Sequence, residues 1–168
     1  MVEKTDIRKL TEKIVKEGGV LALLYFDVHA ATKEDVQNLG TGFIGHLIKM
    51  PGVVYALGEI EEPIGGEDGK NFSSSIVVKI LTRNFLVLAN ICLANSPFTA
   101  EILRPDEIKL SLHAAHELLG QLAATTSEYK KTVLTKLATK EELAEFHRQL
   151  SARAELGKRV LERKDKKE

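Results

Sequence analysis

Apolar positions along the chain fall into short blocks whose period changes from block to block. Residues 3 to 17 set Ile7, Leu10, Ile14 and Val15 at helical spacing among Lys and Glu, and Gly18-Gly19 follows, which predicts a short amphipathic surface helix with a glycine end. Val20 to Val28 is apolar on both alternations, the pattern of a strand covered on two faces. Thr32 with Asp35 opens a second helix in near capping-box fashion, its stripe runs through Val36, Leu39, Phe43, Leu47 and Ile48 to Met50, and Pro51-Gly52 ends it. Val53 to Ile60 and Phe72 to Thr82 alternate as the two strands of a hairpin, joined by a turn from Pro63 to Asn71. On the second of these strands Phe72, Ser74, Ile76, Val78 and Ile80 share one face, and Ser73, Ser75, Val77, Lys79 and Leu81 share the other, so one side is core and the other mixed. Asn84 caps a helix from Phe85 to Asn95 that is apolar nearly all round, and Phe98 to Leu103 is the last strand. Pro105 then opens a helical region expected to run almost to the C-terminus. The spacings Thr125–Glu128 and Thr139–Glu142 divide it into pieces.

The order helix, β-α-β-β-α-β, helices predicts an α+β ferredoxin-like domain, an antiparallel sheet with both crossover helices on one face. The expected division is residues 1–104 for the ferredoxin-like domain with its leading helix and 105–168 for a C-terminal helical extension. Within this plan Gly45-His46-Leu47-Ile48-Lys49-Met50-Pro51-Gly52-Val53-Val54 is a helix end that breaks at Pro-Gly into a Val-rich strand. Residues 20–103 with this run resemble the ACT-like domains and are most similar to the effector-sensing domain of the Lrp/AsnC regulators. The resemblance implies a small-molecule-binding, oligomerising module. Two departures set it apart: 19 residues precede the first strand, where Lrp-type proteins carry a helix-turn-helix domain, and the first strand-helix turn, Asp27 to Thr32, lacks the Pro-Gly near which ACT domains bind ligand.

Composition narrows the classes. The 168 residues carry 24 Lys+Arg against 24 Asp+Glu, so the electrostatic footprint of a nucleic-acid binder is missing and nucleic acid is not an expected partner. The apolar run Val20 to Phe26 is far shorter than the roughly 20 residues of a membrane span, so no membrane is expected. Glu3, Asp6, Glu12 and Glu17 stand where a signal peptide has a basic region, and the single Cys92 suits a reducing compartment, so the expected location is cytoplasmic. The chain holds 17 Lys and 18 Glu against three Gln, a thermophile-like bias that bears on source rather than function.

Candidate chemistry is sparse. Gly40-Thr41-Gly42-Phe43-Ile44-Gly45 matches a dinucleotide fingerprint, but its glycines lie inside a helical stripe instead of directly after a strand, and close packing against the sheet is the expected role. Gly65 to Lys70 fails as a phosphate loop because Ile64 stands in the first glycine position, Asn71 replaces the Ser or Thr, and a strand follows. His113 and His116 lie three apart on a helix and can share a divalent metal, with His29 at the end of the first strand as a possible third ligand. Metal-protease spacing is missing, so His113, His116 and His29 are a candidate metal set competing with a plain exposed face. Glu59, Glu61, Glu62, Glu67 and Asp68 could hold a hard cation, or form a negative hairpin that pairs with Lys79. Ser73 to Ser75 lack a nucleophile elbow, Cys92 sits in the most apolar helix, and His46 and His147 occupy ordinary helix positions. Leu143, Phe146, Leu150, Gly157 and Val160 follow three-four spacing, and Lys158, Arg159, Arg163, Lys164, Lys166 and Lys167 give the end a basic, solvated character.

These readings lead to a stand-alone small-molecule-binding or regulatory and oligomerisation module without a catalytic constellation. No cofactor is expected, with a divalent metal the one candidate. The stripe after Thr139 has no partner within so small a domain, which points to a homodimer or larger homo-oligomer assembled through the C-terminal helices. The alternatives are a metal-dependent enzyme using His113 and His116, and a structural assembly subunit.

Overall fold

The computed structural model describes residues 2–66 and 71–137, and beyond these 139, 141, 142, 144–146, 148, 149, 151, 152, 154 and 155. The elements run α1 (Val2–Lys16), β1 (Val20–Ala30), α2 (Lys33–Lys49), β2 (Val53–Ile60), β3 (Ile64–Gly65), β4 (Phe72–Thr82), α3 (Phe85–Asn95), β5 (Thr99–Arg104) and α4 (Leu112–Leu137). Their ends are set by local chemistry. Gly18 ends α1 at φ +98°, a left-handed value that suits a residue without Cβ, and Gly19 N–H donates to Ile14 O at 2.8 Å to satisfy a terminal carbonyl. The Thr32 hydroxyl accepts from Asp35 N–H at 3.0 Å at the start of α2, and Asn84 Oδ1 accepts from Val87 N–H at 3.0 Å at the start of α3.

Among the described residues the strands form one five-stranded sheet, antiparallel at every pairing, in the order β2-β4-β1-β5, with the short β3 also on β4. The chain is therefore mixed α and β. β4 and β1 are central and pair along their full length, Val20 with Thr82 through Ala30 with Phe72. Such strands are covered on two sides over part of their length, which explains why β1 reads as a continuous apolar run.

Alternation then sorts the side chains. Val20, Ala22, Leu24 and Phe26 of β1 and Ile76, Val78 and Ile80 of β4 face one way, where Leu47 of α2 and Leu88 and Ile91 of α3 close the main core. The helices approach closely where a side chain is missing: an added Cβ at Gly40 of α2 would come within 2.7 Å of Ile60 Cδ1, and one at Gly58 of β2 would collide with Ile44 of α2. Gly42 and Gly45 meet nothing within 4 Å, so the packing role expected of this glycine pattern falls on Gly40. On the opposite face α1 covers only one end, packing Ile14 onto Leu21 and Leu81.

Three local expectations give way to competing interactions. The helix expected from Pro105 begins at Leu112, because Ser111 caps it by accepting from Ala114 N–H at 3.1 Å, while Ile108 is drawn against the main core from a non-helical segment. Thr125 does not break α4, which is continuous to Leu137; a cap spacing without a chain-breaking residue is not enough to stop a helix. The turn from Pro63 contains the additional strand β3, whose Ile64 pairs with Ser73. Leu143, His147, Leu150, Gly157, Val160 and the basic residues from Lys158 onward lie outside the described residues. The described chain packs as two units, Met1–Gln121 and Leu122–Glu168, so residues 105–121 belong with the sheet.

Candidate functional site

The second face of the sheet, beyond the reach of α1, carries polar groups in register. Asp27 and His29 are two apart on β1 and project to the same side. Antiparallel pairing places His29 opposite Ser73 and Asp27 opposite Ser75. The result is a chain of hydrogen bonds, Ser73 Oγ to His29 Nδ1 at 2.7 Å and His29 Nε2 to Asp27 Oδ2 at 2.6 Å. The His29 and Asp27 side chains remain 61% and 62% exposed, so the group is open to solvent and to ligands.

Beside this chain lies a cleft of about 370 Å³, lined by Asp27, Glu61, Ile64, Gly66, Ser73 and Ser75 among others. Its wall is built by backbone bonds. Glu61 N–H donates to Ser75 O at 3.0 Å, the buried Ser74 hydroxyl donates to Glu61 O at 2.6 Å, and Gly66 N–H donates to Asn71 O at 2.8 Å. Hydroxyls, an imidazole and carboxylates thus converge on a surface held by a rigid sheet.

The arrangement has defined chemical capacity. With Nε2–H donated to Asp27, the neutral imidazole accepts the Ser73 proton at Nδ1; protonated, it donates to both neighbours. That is the order of groups in a serine nucleophile, recognised by geometry rather than by sequence position. A tetrahedral oxyanion needs preorganised donors, however, and at Ser73 the backbone lies between β1 and β3, where the ladders take up its N–H groups. Ligand recognition by the polar groups is the better-supported use.

The other candidates are dispersed. His113 and His116 are exposed on the first turns of α4, and His29 is engaged by Asp27 and Ser73. Among the described residues no three His, Cys, Asp or Glu side chains form a group that could hold a metal ion, so the structure does not bring His29 to the α4 histidines. Lys79 is flanked by Leu23 and Leu57 rather than by the hairpin acids, since Glu59 stands opposite Val77. The expected pairing of Lys79 with that hairpin is not seen among the described residues. Burial pushes the Cys92 thiol above its ordinary pKa, which suits an inert residue. His46 is exposed on α2, and residues 67–70 of the expected turn lie outside the described residues.

The family model described as the MJ0538 family matches residues 21–150. The chain belongs to the MJ0538 family. The matched span runs from β1 into the second unit and so takes in the whole of the Asp27–His29–Ser73 arrangement. No curated protein and no solved structure matches the chain.

Sequence reasoning singled out His29 but assigned it to metal and left Ser73 without a partner. The missing signal was register: only the pairing of Ala30 with Phe72 sets His29 against Ser73. The alternating faces of both strands, read together with a shared offset, were the clue available in the sequence.

Proposed function

We propose that this MJ0538-family chain is a small-molecule-binding or regulatory module with a ferredoxin-like, ACT-like arrangement, working in the cytoplasm and self-associating. The observation that carries the reading is the half-open second face, where Asp27, Ser73 and Glu61 line a cleft of about 370 Å³, inside the size range of small-ligand sites, and His29 bonds both Asp27 and Ser73 beside it. The strand order β2-β4-β1-β5, with α2 and α3 packed on one side, supports the ferredoxin-like arrangement. The lone Cys92 supports a reducing location.

A thermal-shift screen with amino acids and nucleotides tests the function. A shift that is lost in Ser73→Ala and His29→Ala supports binding at this cleft. A shift that survives both changes, or none from the whole panel, overturns it. The hydrogen-bonded Ser73–His29–Asp27 order favours a second reading, acyl transfer to Ser73, which predicts turnover of p-nitrophenyl esters that vanishes in Ser73→Ala. A metal-dependent enzyme would rest on His113 and His116 without a third ligand among the described residues, and metal analysis of the purified protein separates it from both.

A further inference from the structure

At the end of the second face covered by α1, the chemistry is of the opposite kind. Thr11 is only 8% exposed and donates its hydroxyl proton to Ile7 O at 2.7 Å. With that proton committed, the 3.0 Å contact between Thr11 Oγ1 and the Tyr55 hydroxyl has Tyr55 as donor, which fixes the phenol against α1. Between α1 and the strands lies a cleft of about 450 Å³ with an apolar floor of Ile7, Leu21 and Leu103. Its charged lining is Arg8, Lys79 and Arg104 against the single acid Glu12.

Pairing leaves two of those cations uncompensated. Arg8 Nε holds Glu12 Oε1 at 3.3 Å, but among the described residues no carboxylate pairs with Lys79 or Arg104. Of the acids elsewhere on this face, Asp27 is bonded to His29, Glu101 stands opposite Leu23 and Glu59 opposite Val77, so each has a cross-strand neighbour other than Lys79 or Arg104. Lys79 has Leu23 and Leu57 as cross-strand neighbours, and Arg104 stands opposite Leu21. Two cations therefore stand beside an apolar floor without a paired carboxylate among the described residues, and a ligand carboxylate would make charge-assisted bonds there, bidentate at the guanidinium.

We propose that this cleft binds a small organic anion with an apolar body, a medium-chain carboxylate, its head group between Lys79 and Arg104 and its hydrocarbon part on Leu21, Leu103 and Ile7. The site is separate from the polar cleft at Asp27 and does not depend on that reading. Calorimetry on the full chain with octanoate tests it, with inorganic phosphate, octylamine and octanol in parallel. Octanoate binds, and the other three bind at least about tenfold more weakly, because each lacks the charge or the apolar body. The double change Lys79→Gln with Arg104→Gln weakens octanoate binding by about tenfold or more, whereas Arg83→Gln, which removes an exposed charge outside the cleft, leaves it unchanged. Raising salt from low to physiological ionic strength weakens it too. Circular dichroism of each variant establishes that it is folded, and Lys79→Arg retains binding. No octanoate binding, equal binding of octanol, or a folded double variant with unchanged affinity overturns the proposal. An amino-acid or nucleotide shift abolished by Ser73→Ala would stand regardless of that result.

Discussion

Side chains on the second face satisfy one another in small local pairs, and that decides which of them are free to act. Asp27, His29 and Ser73 are joined across two strands, with the Asp27 and His29 side chains largely exposed and Ser73 half-buried. Removing them therefore costs little stability: Ser73→Ala and His29→Ala each change unfolding free energy by less than about 0.5 kcal/mol in urea titrations, as at ordinary surface sites. A loss several times larger would make the trio a structural clasp instead of a recognition group. Core positions behave otherwise. Leu24 has no exposed surface and faces α2 and α3, so Leu24→Ala lowers stability by about 2–5 kcal/mol in the same titration. Cys92 packs against that core with its thiol pushed up by burial, so native protein reacts with iodoacetamide at least about tenfold more slowly than urea-unfolded protein. The caps at Thr32 and Asn84 were legible from residues alone because each spans three positions of one segment. The Ser73–His29 bond spans 44 positions and was not, since register belongs to the folded sheet.

Elements show the same contrast between local and long-range causes. β2, β4 and α3 match the spans predicted from period and caps, while α4 begins at Leu112 because Ile108 gains more from the core than from a helical turn. The glycine pattern of α2 separates a packing role from a nucleotide role. Gly42 faces open space inside a helix, so Gly42→Ala raises stability by about 0.5–1 kcal/mol through helix propensity. Gly40 lies against Ile60 and Ile76, and Gly40→Val costs about 1–3 kcal/mol through overpacking. Equal effects at the two positions in thermal unfolding would remove the packing account. The expected box at Thr139 forms in full: Thr139 N–H donates to Glu142 Oε2 at 2.8 Å, and Glu142 N–H donates to Thr139 Oγ1 at 3.3 Å. The backbone bond from Thr139, then its hydroxyl, hold the Glu142 carboxyl below its ordinary pKa. A depressed carboxyl stabilises the cap above the ordinary carboxylate value and loses that contribution as pH falls through the folded value. An NMR titration of Glu142 accordingly moves upward in Thr139→Ala, which removes the hydroxyl but keeps the backbone N–H, and an unchanged midpoint would mean that the hydroxyl does not hold the carboxyl in solution.

For the whole molecule the question is what covers the apolar surface that the chain leaves bare. Leu112 and Leu119, two turns apart on one face of α4, are 74% and 64% exposed. Their spacing of seven puts both on one helix face, but spacing alone does not distinguish a surface meant for the chain's own sheet from one meant for another copy. Within the unit Met1–Gln121 the core side of the sheet is closed by α2 and α3, and α1 takes one end of the other side, while Leu112 and Leu119 stay exposed. Self-association is the reading that covers them, and a two-fold contact would set the same face on itself. Light scattering of the full-length protein is then expected to give the mass of a dimer or a larger oligomer. Leu112→Lys with Leu119→Lys lowers that mass, because burying two charges in the contact opposes it, while the melting of the sheet unit stays within a few degrees. A monomeric full-length chain removes the argument outright. An oligomer untouched by the double change relocates it to a different surface.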